Sequence, residues 1–438
     1  MSEIEYYPNG RFILVDHPYN KLISLQPYHS FSLNETGSSI FRLLRKGMTA
    51  KELAEALNIH SEANICELNT FLKKAVSQGI LTFEKIENAE IRIKRNDTKP
   101  NLERIFMEVT AKCNFYCKHC YMSAGKNIDT KMELTLDEIK DIIRQADDMG
   151  VFRIDFTGGE VFVRNDIKEI LRFASDNFMI TNIFTNGYAL TEEICNYLAS
   201  LGNIKIVFIS LDDMDPKSHD EFRGMPGSFD RIVDGVMQLK KLGIRPVMNI
   251  TLNKNNSQYI KKIIDFCRNT LGVECRVAPI LYVGRGKCFE DDSVDMDVIV
   301  NTMDYSIGDF LDLPFGEGIN EMEQNFNEPS CGVGHKMIYI RSNGEICLCP
   351  TLSSRESEEF ELGNVRAHSI AHIWQYSEKL NRFRNSFCKN RDCMYLPKCK
   401  GGCRSRAYLH NKNLNDVDTI VCNYFENRQK KKYIASTL

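Results

Sequence analysis

From Arg104 to Leu281 the sequence alternates β-branched or aromatic runs with amphipathic stretches, and this restricts the fold more than any other feature. The runs RIFMEVT, FRIDFT, ITNIFTN, IKIVFISL, RPVMNITL and CRVAPIL read as strands. Stretches such as LTLDEIKDIIRQADDMG and FDRIVDGVMQLKKLG carry helical periodicity. Six such units in succession predict an α/β fold with a parallel sheet curled into a partial (β/α)6, TIM-like barrel. Reactive groups in such folds gather at the carboxyl ends of the strands. A chain of 438 residues is too long for one core, so further domains are expected on both sides.

Residues 1–88 read as an α+β domain. RFILVDHP and KLISLQP are short strand runs, and Asn34 is placed to cap SSIFRLLRKG. Thr49-Ala50-Lys51-Glu52 has capping-box order, and ICELNTFLKKAVSQG ends at a glycine before ILTFEK. Two or three strands with three helices predict a winged-helix arrangement. Its balanced charge argues against duplex binding, so no nucleic-acid partner is expected. The charge-rich stretch from Lys85 predicts a linker over 89–103. The barrel is expected over 104–305, a bridging region over 306–330 and a cysteine-rich domain over 331–438.

Net charge is −3, and no run of about eighteen apolar residues occurs. With no basic-then-apolar amino terminus, the expectation is a cytoplasmic protein without a membrane partner. In such a reducing compartment sixteen cysteines point to metal rather than disulfides. Three are Cys113, Cys117 and Cys120, eight lie from Cys331 to Cys422, and five are scattered. The scattered five (Cys66, Cys195, Cys267, Cys275, Cys288) are expected to be small buried hydrophobes.

The first group follows the first barrel strand directly. Three thiolates on one loop can hold three irons of a cubane and leave the fourth open. Zinc is the competing occupant, with His119 within the loop. Thr157-Gly158-Gly159-Glu160 follows the second strand, where Gly158 and Gly159 allow close backbone approach and Glu160 offers an acceptor to an ammonium. Asn186, then Ser210 and Asp212, sit at later strand ends, with Arg223 in HDEFRG a candidate partner for a carboxylate. Each is alone compatible with a turn or a solvated surface.

Cys-x3-Cys-x2-Cys after the first strand, with TGGE after the second, resembles the radical S-adenosylmethionine (SAM) superfamily over residues 104–290. The resemblance implies SAM chelated at the open iron of a [4Fe-4S] cluster, reductive cleavage to a 5′-deoxyadenosyl radical, and hydrogen abstraction from substrate. His119, Gly158, Gly159, Glu160, Asn186, Ser210, Asp212 and Arg223 would then bind the cofactor.

Cys331-x12-Gly344-x4-Cys349, Cys388-x4-Cys393-x5-Cys399-x3-Cys403 and Cys422 resemble the SPASM extension, which holds two auxiliary [4Fe-4S] clusters. The family spacing begins Cys-x2-Cys, so Cys388-x4-Cys393 departs from it. By position, Cys388, Cys393, Cys399 and Cys422 would hold the outer cluster. Cys331, Cys349 and Cys403 would hold the inner one, completed by Cys347 two residues from Cys349. Two structural zinc sites are the alternative.

The amino-terminal domain resembles the PqqD-like recognition domain of ribosomal-peptide maturases, and the barrel motifs resemble sactipeptide and streptide-type synthases. The resemblance implies a precursor peptide with a leader as partner, an external low-potential electron donor, and an intramolecular carbon–carbon cross-link between Lys and Trp. Thioether formation, as in sactipeptide or ranthipeptide synthases, is the alternative, and a winged-helix redox regulator the reading from another class. Glu317 and Glu321 are candidate bases for the final deprotonation, or plain surface carboxylates.

Overall fold

The computed structural model describes residues 4–17, 20–292, 294–302, 331–353 and 359–427. The bridging region, with Glu317 and Glu321, lies outside the described residues.

The amino-terminal unit contains β1 (Glu5–Pro8), β2 (Arg11–His17), β3 (Lys21–Ser24), β4 (His29–Ser32), β5 (Met48–Thr49), β6 (Leu81–Thr82) and β7 (Glu90–Arg95). They form a three-stranded sheet, β5-β1-β6, and a four-stranded sheet, β4-β3-β2-β7. Helices α1 (Glu35–Leu44) and α2 (Ala50–Ala56) start at the expected caps, and α3 (Glu62–Ser77) begins three residues before the expected run, capped by Ser61. Asn34 accepts from the Gly37 amide at 2.7 Å, and Thr49 and Glu52 complete a capping box.

β2 is buried on both faces because its side chains alternate between two cores. Phe12 and Leu14 meet Phe41, Leu44, Leu53 and Leu72 of the helices. Ile13 and Val15 pack on Phe178 and Ile180 of the barrel. The Arg11 and Arg92 guanidiniums also sit over the Phe178 ring, 4.3 and 4.4 Å from its centroid.

The stretch expected as a linker is different in kind. β7 pairs parallel to β2, and Lys94 reaches out of it into the barrel domain. Its buried ammonium is 2.6 Å from Asp147 and donates to the carbonyls of Val151 and Asn177. Composition misleads here because the charged side chains dock on the barrel instead of solvating a loop.

The six expected barrel strands form as β8 (Arg104–Glu108), β9 (Arg153–Thr157), β10 (Ile180–Thr185), β11 (Ile204–Ser210), β12 (Arg245–Leu252) and β13 (Glu274–Pro279). All pair parallel in sequential order. Helices α4 (Leu136–Asp148), α5 (Ile167–Asp176), α6 (Glu192–Leu201), α7 (Pro216–Arg223) and α8 (Ser228–Lys241) fall between them. Ile105, Met107, Ile154 and Phe156 share the main core with these helices. On the opposite face Phe106, Phe184 and Phe208 pack in sequence, the first pair tilted and the second stacked, with ring centroids 4.9 and 4.5 Å apart.

A further strand joins this sheet from beyond Cys331, within the stretch expected as a separate cysteine-rich domain. β14 (Met337–Ile340) pairs parallel to β8, then β15 (Glu345–Cys347) and β16 (Glu361–Asn364) continue antiparallel. All four residues of β14 are buried, as suits a strand inside a sheet covered on both faces. The cysteine-rich region therefore grows out of the barrel sheet itself. Among the described residues no helix is long and apolar enough to cross a membrane.

Candidate active site at the carboxyl ends of the barrel strands

β8 and β9 end side by side, and their following loops close on each other. The Gly159 amide donates to Thr110 O at 2.8 Å and the Glu160 amide to Lys112 O at 2.9 Å. A Cβ on Gly158 would lie 2.5 Å from Thr110 O, and one on Gly159 2.2 Å from Lys112 O. The close approach that requires these glycines is thus to the backbone of the cysteine loop.

That loop buries Cys113 and Cys117 beside Phe115, with Cys120 half-buried. Burial pushes the Cys113 thiol up to about 12 and raises that of Cys117, where Arg223 opposes the effect. Metal binding to these thiols must displace protons, so occupancy is favoured by rising pH. N–H donors already face the sulfurs: the Phe115 amide at 3.4 Å from Cys113 Sγ and Arg223 Nη1 at 3.9 Å from Cys117 Sγ.

Glu160 is buried, and its hydrogen bonds come from neutral groups. The Asn186 amide donates at 2.6 Å, Thr185 Oγ1 at 2.8 Å and the Phe162 amide at 3.1 Å. Burial raises its pKa, and these donors offset that only in part. A buried carboxylate in this state is stabilised by an added cation. Asn186 bridges the two ends of the site, its Nδ2 donating to Asn114 Oδ1 at 2.8 Å and lying 3.9 Å from Cys113 Sγ.

Asp212, after β11, is the centre of a second cluster. Arg223 Nε donates to its Oδ2 at 2.6 Å and the Thr251 amide to its Oδ1 at 2.7 Å. Burial is the largest effect and works against the charged carboxylate, but Arg223, His119, His219 and the Thr251 amide together hold Asp212 below its usual range. His119 lies 3.9 Å from Asp212 and stacks on Phe222 at 4.4 Å. Burial, then the charge of Arg223, lowers His119 to about 4, so it is neutral and its buried Nδ1 has no partner. Ser210 is half-buried where β11 ends.

The carboxy-terminal thiols fall into two groups that act on one another electrostatically. Cys331 and Cys349 are each perturbed by Cys403, and Cys349 also by Cys331. Cys422 is perturbed by Cys388, Cys399 and Cys393, which puts it within electrostatic range of these three despite the longer Cys388–Cys393 spacing. Cys347 is buried at the end of β15, under the charges of Arg341, Glu361 and Glu345 and, among thiols, of Cys349. Of the scattered cysteines, Cys195, Cys267 and Cys275 are buried, whereas Cys66 and Cys288 are exposed. Cys66 falls off the Leu68, Leu72 and Ala75 face of α3, a helical spacing that marks it as exposed.

Among the described residues no three His, Cys, Asp or Glu side chains converge as they would on a single ion. Thiolates that each bind a different iron of a cubane need no such convergence. The donor set, three thiols on one loop beside an uncompensated buried carboxylate, fits a cluster and a cationic cofactor. Two features escaped sequence reasoning. One is the buried Glu108, which accepts from Ser342 Oγ at 2.7 Å and from the Tyr339 hydroxyl, tying β8 to the β14 hairpin. The other is Arg404, after Cys403, which no pattern distinguished from a surface arginine.

The fold and these groups of side chains fit an enzyme that does radical SAM chemistry. Residues 107–267 match the radical SAM superfamily, and residues 331–404 match the SPASM iron–sulfur cluster-binding domain. The chain is 29% identical over 338 residues to an AdoMet-dependent heme synthase of Nitratidesulfovibrio vulgaris, covering 71% of this chain and 90% of that protein. It is 24% identical over 452 residues to the antilisterial bacteriocin subtilosin biosynthesis protein AlbA of Bacillus subtilis, covering 97% and 95%. The structure of Streptococcus suis SuiB bound to its precursor peptide SuiA shares the fold, with a TM-score of 0.61 and 18% identity over 95% of this chain and 98% of that one.

Proposed function

We propose that this enzyme matures a ribosomally made precursor peptide by forming an intramolecular cross-link. The observation that carries the reading is coverage. The likeness to SuiB, solved with its precursor peptide, and to a bacteriocin biosynthesis protein runs through the amino-terminal unit as well as the barrel. The heme synthase match covers only 71% of the chain.

When bound, the cluster and SAM supply a carbon radical able to remove hydrogen from an unactivated carbon. Cys113, Cys117 and Cys120 hold that cluster, and Glu160 receives the SAM ammonium. Gly158 and Gly159 keep the Glu160 loop against the cysteine loop, and Asn186 and Ser210 line the strand ends. Asp212, paired with Arg223, fixes the position of α7 and of His119 beside the cluster loop. The SPASM domain holds two more four-iron clusters, an outer one on Cys388, Cys393, Cys399 and Cys422 and an inner one on Cys331, Cys349, Cys403 and Cys347. Cross-linking removes two electrons overall, and a cluster held by these carboxy-terminal thiols would supply an exit for the one that hydrogen abstraction does not take. The cluster on Cys113, Cys117 and Cys120 would require an external low-potential electron donor.

The PqqD-like reading of the amino-terminal unit assigns leader binding to a sheet edge, where a peptide adds as a further strand. β4 is the outer strand of its sheet opposite β7. The domain scheme of recognition unit, barrel, bridging region and SPASM domain follows from the same reading.

The bond proposed is carbon–carbon, between Lys and Trp. A thioether between a peptide Cys and a carbon is the second reading, and the match to a bacteriocin biosynthesis protein along 97% of the chain is compatible with either bond. Mass spectrometry of precursor peptides incubated anaerobically with reconstituted enzyme, SAM and a reductant separates them. Loss of two hydrogens mapped to Lys and Trp supports the first, and a bridge through Cys the second. No 5′-deoxyadenosine under well-reduced conditions would overturn both.

A further inference from the structure

Arg404 follows Cys403 and opens the helix Arg404–Asn411. It is 5% exposed, and its guanidinium is divided in its bonding. Nη1 donates to the carbonyls of Leu414 at 2.9 Å and Asp416 at 2.8 Å. Nε and Nη2 are buried and have no partner. Among the described residues Arg404 makes no ion pair. The neighbouring Asp416 carboxylate is engaged by Lys389 at 2.6 Å and the Val417 amide at 2.8 Å. Asp418 is taken by Arg406 at 2.6 Å and by the Cys403 amide at 2.7 Å.

Unsatisfied donors on a permanently charged buried group are costly and rare, so an acceptor is expected where they point. The direction is given by Gly401. A Cβ there would lie 3.2 Å from Arg404 Nη2 and 3.1 Å from Cys388 Cβ, so the free guanidinium edge and Cys388 flank one point. The Gly401 amide itself donates to Cys399 Sγ at 3.3 Å. The orphaned edge therefore faces the Cys388 and Cys399 side of the outer thiol group, not the Cys331–Cys349 side.

We propose that Arg404 donates Nε–H and Nη2–H to the sulfurs of the outer cluster and raises that cluster's reduction potential. This rests on the outer cysteine set proposed above. Reduction adds one negative charge to the cluster, and a buried cation with two N–H donors stabilises the reduced form more than the oxidised one. Arg404 is thus a positioning and tuning residue, which keeps the outer cluster able to accept the electron released in cross-linking.

The test uses full-length protein carrying Cys113→Ala, Cys117→Ala and Cys120→Ala, anaerobically reconstituted so that only the carboxy-terminal clusters remain. Redox titration followed by electron paramagnetic resonance then reads their midpoints. Arg404→Gln is expected to lower the outer midpoint by about tenfold in the oxidised-to-reduced ratio, about 59 mV for one electron. Arg404→Lys, which retains charge but not the planar pair of donors, should fall between. Lys398→Gln, which removes an exposed charge beside Cys399, should move it little because solvent screens that site. Unchanged midpoints in both Arg404 variants, or a shift confined to the inner cluster, would overturn the proposal. Loss of outer-cluster iron from both variants would assign Arg404 to holding the loop and would equally overturn it. Iron for only one cluster in the parent protein would refute the ligand set itself, which the Arg404 variants are not needed to show.

Discussion

Arg223 and Asp212 form a buried ion pair, 2.6 Å from Nε to Oδ2, between the last turn of α7 and the end of β11. The guanidinium extends past Asp212 toward Cys117 Sγ, so one side chain joins the barrel end to the cysteine loop. Removing either charge leaves the other buried and alone. Arg223→Met or Asp212→Asn is expected to lower stability by about 3 kcal/mol. The double substitution Asp212→Leu with Arg223→Met should recover part of that stability but not SAM cleavage. Chemical denaturation and 5′-deoxyadenosine release measure the two effects separately.

Glu160→Gln keeps the size of the side chain and removes its charge. One amide donor, from Asn186 or Phe162, then faces an NH2 group, so a modest loss of stability is expected. The larger effect should be on SAM, whose affinity should fall about tenfold to a hundredfold through loss of a charge-assisted hydrogen bond. Equilibrium binding to reconstituted enzyme measures it, and unchanged affinity would remove Glu160 from the ammonium site.

Cys347→Ala tests the fourth thiolate of the inner cluster. The expected outcome is an inner cluster held by three thiolates, with an altered paramagnetic signal and faster loss of iron to a chelator. The outer cluster should keep its signal. If iron content and both signals match the parent protein, Cys347 is a core residue of β15 and the inner site is open.

Lys94 gives the docking of the amino-terminal unit a pH dependence. Burial lowers its pKa to about 8, although Asp147 opposes this. An unfolded lysine titrates near 10.4, so between about pH 8 and 10.4 the unfolded chain binds more protons than the folded one. Stability contributed at this site therefore rises with pH across that window and is constant below it. The stability difference between the parent protein and Lys94→Met should shift toward the parent by up to about 3 kcal/mol between pH 8 and pH 10.4. Denaturation midpoints of both proteins at the two pH values measure this, and a pH-independent difference would mean that the ammonium stays charged.

Much of the barrel was legible because its information is local. Each of β8 to β13 is a short apolar run, and the caps of α4, α6 and α7 are side chains that accept from the amide three residues on. The strand-end motifs were legible for the same reason, since Cys113, Gly159, Asp212 and their neighbours follow strands the periodicity already marks. β7, and the pairing of β14 with the barrel sheet, were not. β7 is charged in composition and acquires its burial only from the barrel surface that receives Lys94. β14 lies more than two hundred residues from its partner β8 and reads alone as one strand of a hairpin.

The sequence by itself determined the parallel barrel, the thiols available to metal and their division into two stretches, because periodicity and spacing along a chain are one-dimensional properties. The tertiary structure alone decided that Arg223 pairs with Asp212, that Gly158 and Gly159 face the cysteine loop, and that Arg404 turns a free edge toward Cys388. Those relationships join positions remote in sequence, and the burial that makes a charge or a donor consequential exists only once the surrounding elements have packed.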